Sequence, residues 1–146
     1  MKYFDFEAAL NRRLEATVND EERWAARTIV GKEEFAPAAI RAGLKMLHRG
    51  DRFAPPSNTA SVVIGVATWS DPDVAVLDSA VDRIRARNIP TWVFDIDECQ
   101  SISELQSFLP QMDMRPTKTP VFAFYVEGHL QTCGQGSDAV HWLEQL

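Results

Sequence analysis

Residues 61–68, SVVIGVAT, are apolar at almost every position and show little of the alternation expected of a strand with one wet face. So short and uniform a run predicts a strand covered on both sides, as in a parallel sheet held between layers of helices. Residues 91–97, TWVFDID, repeat the pattern. Between the two runs, Val74, Leu77, Val81 and Ile84 recur at helical spacing and predict a helix from about Pro72 to Arg87. A second helix is expected from about Ser101 to Leu109. Strand, helix, strand, helix is the rhythm of an α/β sheet with right-handed crossovers.

The rhythm changes after RPTKTP, residues 115–120. VFAFYV and HLQTCG are joined by a turn at Glu127-Gly128, too short for anything but an antiparallel hairpin, and a final helix is expected from about Ser137 to Leu146. The sheet is therefore read as mixed. At the other end, Phe6, Leu10, Leu14 and Val18 fall at intervals of four, predicting a helix over Phe4 to Val18. Asn19 with Glu22 is a second helix-start signal, and Trp24 to Val30 either continues that helix or forms a strand before Gly31. A strand over Ala26 to Val30 is the reading adopted. Pro37 then suits a first helical turn, with Ile40, Leu44 and Leu47 on one face and Gly50 as the stop. Residues 51–60 read as a connector.

With 146 residues and 45% apolar content, the chain fits one domain with a sizeable core. A net charge of -6 speaks against nucleic-acid binding, which needs clustered Lys and Arg, and suits a basic or neutral partner. No apolar stretch has signal-peptide length or approaches the ~18 residues of a membrane span, so a soluble, cytoplasmic protein without membrane contact is expected. Cys99 and Cys133 are too far apart in sequence for a metal-binding spacing and make no disulfide framework; they read as buried, inert thiols.

These elements in this order, with TWSDPD at the first strand-to-helix turn, FDIDE ending the next strand, TP opening the hairpin and VFAFYVEGHLQTCGQG across it, resemble the thioredoxin family from about residue 26 onward. The resemblance implies a thioredoxin-like three-layer α/β sandwich over residues 26–146, with a mixed central sheet, a C-terminal β-hairpin and helix, and residues 1–25 as an additional N-terminal helical extension. Trp69-Ser70-Asp71-Pro72-Asp73 falls on the family's Trp-Cys-Gly-Pro-Cys. The Trp and Pro are kept, while Ser70 and Asp73 stand in place of the two redox cysteines. The family's buried acid, six residues before its first cysteine, is here Ile64. The family's cis-proline falls on Pro120 after Thr119, behind a loop about two residues longer than usual, which is expected to be reshaped.

A helix N-terminus can activate a cysteine but not a serine, whose hydroxyl is too weakly acidic to ionise without a base. His48, His129 and His141 lie in other elements and read as surface or structural. Ser70-x-x-Asp73 around Pro72 instead matches a capping box, worth on the order of 1 kcal/mol. Cys99 and Cys133 should be two to three strand spacings of about 4.8 Å apart, beyond the ~7 Å limit for a disulfide, so an internal dithiol cycle is not expected. Either thiol alone, Cys99 being the better placed, supports an alternative reading as a single-thiol redox or glutathione-linked enzyme. Asp71, Asp73, Asp95, Asp97 and Glu98 should gather at the carboxyl ends of the parallel strands, where they suit a basic segment of a partner better than a metal. Neither a metal nor a cofactor is expected. The resemblance implies a groove flanked by Trp69, Thr119, Pro120 and Gly136. The expected function is thus a redox-inactive, non-catalytic protein- or peptide-binding module, an adaptor, chaperone or accessory subunit, with a contact surface of Trp69, Ser70, Asp71, Asp73, Thr119, Pro120 and Gly136. The N-terminal helix is expected to dock on its own domain or to build a homodimer.

Overall fold

The computed structural model describes residues 3–14, 19–113 and 115–146. In chain order the elements are α1 (Glu7–Arg13), α2 (Asp20–Arg41), β1 (Lys45–Met46), β2 (Ala60–Val66), α3 (Asp71–Ala86), β3 (Thr91–Asp95), a 3-10 turn (Ile96–Glu98), α4 (Ile102–Phe108), β4 (Val121–Val126), β5 (His129–Gln135) and α5 (Ser137–Glu144). The strands form one sheet in the order β1-β3-β2-β4-β5. β2 is parallel to β3 and antiparallel to β4, which forms the hairpin with β5. The sheet is mixed, as the sequence predicts.

β2 is uniformly apolar because it is central and both its faces are buried. Val62, Ile64 and Val66 join Val93, Phe122 and residues of α2, α3 and α5 in one core. Val63, Phe94, Val121, Ala123 and Tyr125 face Phe108, Leu109 and Phe53 in the other. Three layers result, with α1, α2, α3 and α5 on one side of the sheet and α4 with the 47–59 connector on the other. That connector carries no helix. Phe53 fills the space, its ring 4.9 Å from Trp92 and 5.5 Å from Tyr125, and its N–H donates to the Ser107 carbonyl. In the hairpin turn both Glu127 and Gly128 have positive φ, the backbone twist that a two-residue connection requires.

The N-terminal third departs from the sequence reading in three ways. First, α1 covers only Glu7–Arg13; Phe6 and Leu14 flank it, and Val18 lies outside the described residues. Its stripe faces inward, with Phe4, Phe6 and Leu10 buried in the chain's own core, and the Asp78 carboxylate accepts the backbone N–H groups of Tyr3 and Phe4.

Second, Ala26–Val30 is not a strand. It lies inside α2, which the Asn19 side chain opens by accepting from the Glu22 N–H at 2.8 Å. Ala26, Val30, Phe35, Ala38 and Ala39 form the buried face, and this tertiary burial overrides the β-preference of Thr28-Ile29-Val30. The division expected between residues 25 and 26 falls within this one helix. Third, Pro37 does not start a helix but sits exposed inside α2, four residues before its end, and the stop is Gly43 instead of Gly50. Gly43, at φ 82°, allows its own N–H to reach the Ile40 carbonyl and that of Leu44 to reach Ala39, a Schellman ending. Leu44 and Leu47 are buried around the short strand β1 and not on a helix. Among the described residues, no helix is long and apolar enough to cross a membrane.

Candidate functional site at the carboxyl ends of the parallel strands

Beyond Val66 the chain leaves the sheet through Ala67, Thr68 and Trp69 and enters α3 at Ser70. Ser70 is the N-cap, its Oγ accepting from the Asp73 N–H at 3.4 Å. Asp73 is buried, and its carboxylate accepts from the Ala67 N–H at 3.0 Å, bracing the turn from inside. Both side chains are engaged with backbone amides of the turn. Ile64 is completely buried among apolar neighbours.

Asp71 faces outward but has a partner. Arg27 of α2 sends Nε and Nη2 to its Oδ1, each at 2.8 Å, and Nη1 to the Thr68 carbonyl at 3.0 Å. The same guanidinium lies 5.2 Å above the Phe6 ring. One turn on, Lys32 reaches Asp97 at 2.9 Å and Asp95 at 3.4 Å. Burial works against the charge of Lys32, but the Asp97 and Asp95 carboxylates outweigh it and hold the ammonium above its ordinary pKa. Asp95 also accepts from the Thr68 hydroxyl, and Glu98 from the Arg49 N–H. The five acids do gather at this end of the sheet, and every one meets a donor of its own chain. Among the described residues, no three His, Cys, Asp or Glu side chains converge as a metal site would require.

Trp69, like Asp71, is turned to solvent. It is 41% exposed, and its ring lies 6.4 Å from that of Trp24, itself 62% exposed, at a tilt of 53°. The cis Thr119–Pro120 bond leads into β4. Because Val121 pairs with Gly65, Pro120 enters the sheet at the end from which Trp69 leaves. The Gly136 N–H donates to the Pro120 carbonyl at 2.9 Å, and the Gln135 side chain accepts from the N–H groups of Thr117 and Lys118, fixing the loop before Pro120. Pro120 and Gly136 are thus brought together, while the ring that meets Trp69 comes from α2.

The thiols lie elsewhere. Both are half-buried against the core on the α4 side of the sheet, Cys99 after the 3-10 turn and Cys133 on β5, opposite Ala123. Burial, reinforced by Glu104, Glu98 and Asp95, pushes the Cys99 thiol up to about 12; burial and Asp113 also raise Cys133. Neither sits at a helix N-terminus facing a cation, the setting that creates a reactive thiolate.

Trp24, Arg27 and Lys32 are the residues that sequence reasoning missed. Asn19-x-x-Glu22 and the spacing of Ala26, Val30 and Ala38 were the signals for the helix that carries them.

No family model and no curated protein matches the chain. Solved structures do. Chlamydomonas reinhardtii thioredoxin f2 is 17% identical over 70% of this chain and 95% of its own, with a TM-score of 0.51. Malassezia sympodialis thioredoxin is 19% identical over 70% and 89%, at 0.48, and mitochondrial thioredoxin 3 of Saccharomyces cerevisiae 18% over 71% and 96%, at 0.48. The first of these carries the comparison, and it agrees with the mixed five-stranded α/β architecture. The chain has a thioredoxin-like fold.

Proposed function

We propose that the chain is a non-catalytic protein- or peptide-binding module, an adaptor, chaperone or accessory subunit, without dithiol-disulfide exchange activity. The observation that carries this reading is the division of labour at the β2–α3 turn. Ser70 and Asp73 are spent on the backbone, whereas Trp69 stays exposed. An exposed Trp is costly to leave in water and is among the side chains that most often dominate binding surfaces. The proposed contact surface runs from Trp69 and Asp71 toward the half-buried Thr119, while Pro120 and Gly136, expected to flank it, are buried and shape it only from beneath.

Two measurements on the purified protein test it. The protein should fail to reduce a disulfide substrate or to turn over a glutathione substrate, and its Trp69→Ala variant should release a partner that the unaltered chain retains. Turnover that disappears in Cys99→Ser or Cys133→Ser would overturn the reading. So would partner retention that is indifferent to Trp69.

A further inference from the structure

We infer that Trp24 and Trp69 together receive a cationic side chain, Lys or Arg, from a flexible segment of the partner. The inference rests on the binding-module reading and names the chemistry of what is bound. It begins from the two indoles. They come from different elements, lie 6.4 Å apart and tilted by 53°, and are 62% and 41% exposed. A cation within about 6 Å of an indole face is attracted by the ring quadrupole, and Trp is the best of the aromatic side chains at this.

The surrounding charges select the sign of the guest. Asp20 and Glu21 stand four and three residues before Trp24 on α2, on the helix side that carries the indole. Both are exposed, and neither has a hydrogen bond or ion pair within the described residues. Asp71, two residues after Trp69, is 72% exposed at its side chain and gives only Oδ1 to Arg27. The basic groups close by are already committed. Arg27 is 12% exposed at its side chain and is shared by Asp71, Thr68 and Phe6; Arg23 pairs with Glu7 at 3.2 Å. What remains on the Trp24 side of α2 is the charge of Asp20 and Glu21, offset only by the helix N-terminus. An anionic guest is repelled there, and an apolar one gains nothing from the carboxylates.

The test uses the full chain and amide-capped peptides of equal length, built on Gly with Arg, Glu or Leu at alternate positions. The readout is the indole Nε1–H resonances, with Trp92 and Trp142 as internal controls. The Arg peptide should move Trp24 and Trp69 saturably and leave the other two in place. Its affinity should fall by about threefold in each of Trp24→Ala, Trp69→Ala and Asp20→Asn, and further as salt is raised. Asp20 is exposed and its side chain makes no bond among the described residues, so this variant keeps the test decisive where a Trp variant perturbs packing. If the Leu peptide moves Trp69 and the Arg peptide does not, the cation assignment fails and the contact surface stands. If no peptide moves Trp69 and partner capture ignores Trp69→Ala, both readings fail. Equal response to the Glu peptide, or shifts that follow the protein's own concentration, also overturns the assignment, the latter because the guest is then a second copy.

Discussion

Replacing Arg27 with methionine keeps most of the aliphatic stem and removes the guanidinium that joins α2 to the β2–α3 turn. Three contacts are lost. The forked pair with Asp71 involves a carboxylate that is 72% exposed at its side chain, so solvent screening limits it to under about 1 kcal/mol. The bond to the Thr68 carbonyl comes from a charged donor to a fully buried residue and contributes about 1.5–3 kcal/mol. The cation over Phe6 adds about 0.5–1 kcal/mol. Together these give about 3 kcal/mol, a large share of the 5–15 kcal/mol typical of a domain, and a fall in Tm of on the order of 10 °C.

Urea unfolding of the unaltered chain, Arg27→Met and Asp71→Asn, each at low and high salt, checks the partition. Asp71→Asn should cost under about 1 kcal/mol and become smaller still in salt, while most of the Arg27→Met cost should survive it. If the two variants cost the same, or the Arg27→Met cost vanishes in high salt, the surface ion pair is the whole effect. The account of Arg27 as a buried tie between helix and turn is then wrong.

Three further outcomes follow from single residues. Asp73→Ala should destabilise by about 2 kcal/mol in the same assay, because the Ala67 N–H loses its acceptor; Ser70→Ala, which removes a longer cap bond, should cost about 1 kcal/mol or less. Cys99 should be alkylated slowly near pH 8 and quickly only in strong alkali, since burial first and then Glu104, Glu98 and Asp95 raise its thiol from 9.0 to about 12. Between those two values an unfolded chain ionises there while the folded one does not, so stability falls as pH rises through that window, and Cys99→Ser should flatten the fall. Ser61→Ala should be neutral or stabilise by up to about 1 kcal/mol by thermal melting, because the Ser61 hydroxyl is buried with no hydrogen-bond partner in the described structure.

The parts of the molecule that could be read from the sequence are those whose determinants lie close together in the chain. β2 and β3 announce themselves because two-sided burial leaves no polar alternation within a single run. The cap of α3 is an i, i+3 pattern, and Ser70 and Asp73 perform it as spaced, with the refinement that the Asp73 side chain reaches back to Ala67 instead of to Ser70. α2 is hidden from a local reading because its reasons are distant. Thr28-Ile29-Val30 favours a strand locally, and Gly31 and Pro37 look like punctuation. Gly31 is in fact inside the helix, where a Cβ would stand 2.4 Å from the Thr68 carbonyl oxygen: it is a glycine because α2 lies directly against the β2–α3 turn.

That one error carried into the site. A strand over Ala26–Val30 does not set Arg27 and Lys32 opposite residues 44 and 63 positions further along, and it leaves the acids at the strand ends free for a partner. Once α2 is a helix lying against that turn, its basic side chains answer Asp71, Asp95 and Asp97 from within the chain. The charge left without an ion-pair partner moves outward to Asp20 and Glu21, around a second indole that no local pattern sets beside Trp69. The helix that fills one acidic site therefore supplies half of the next.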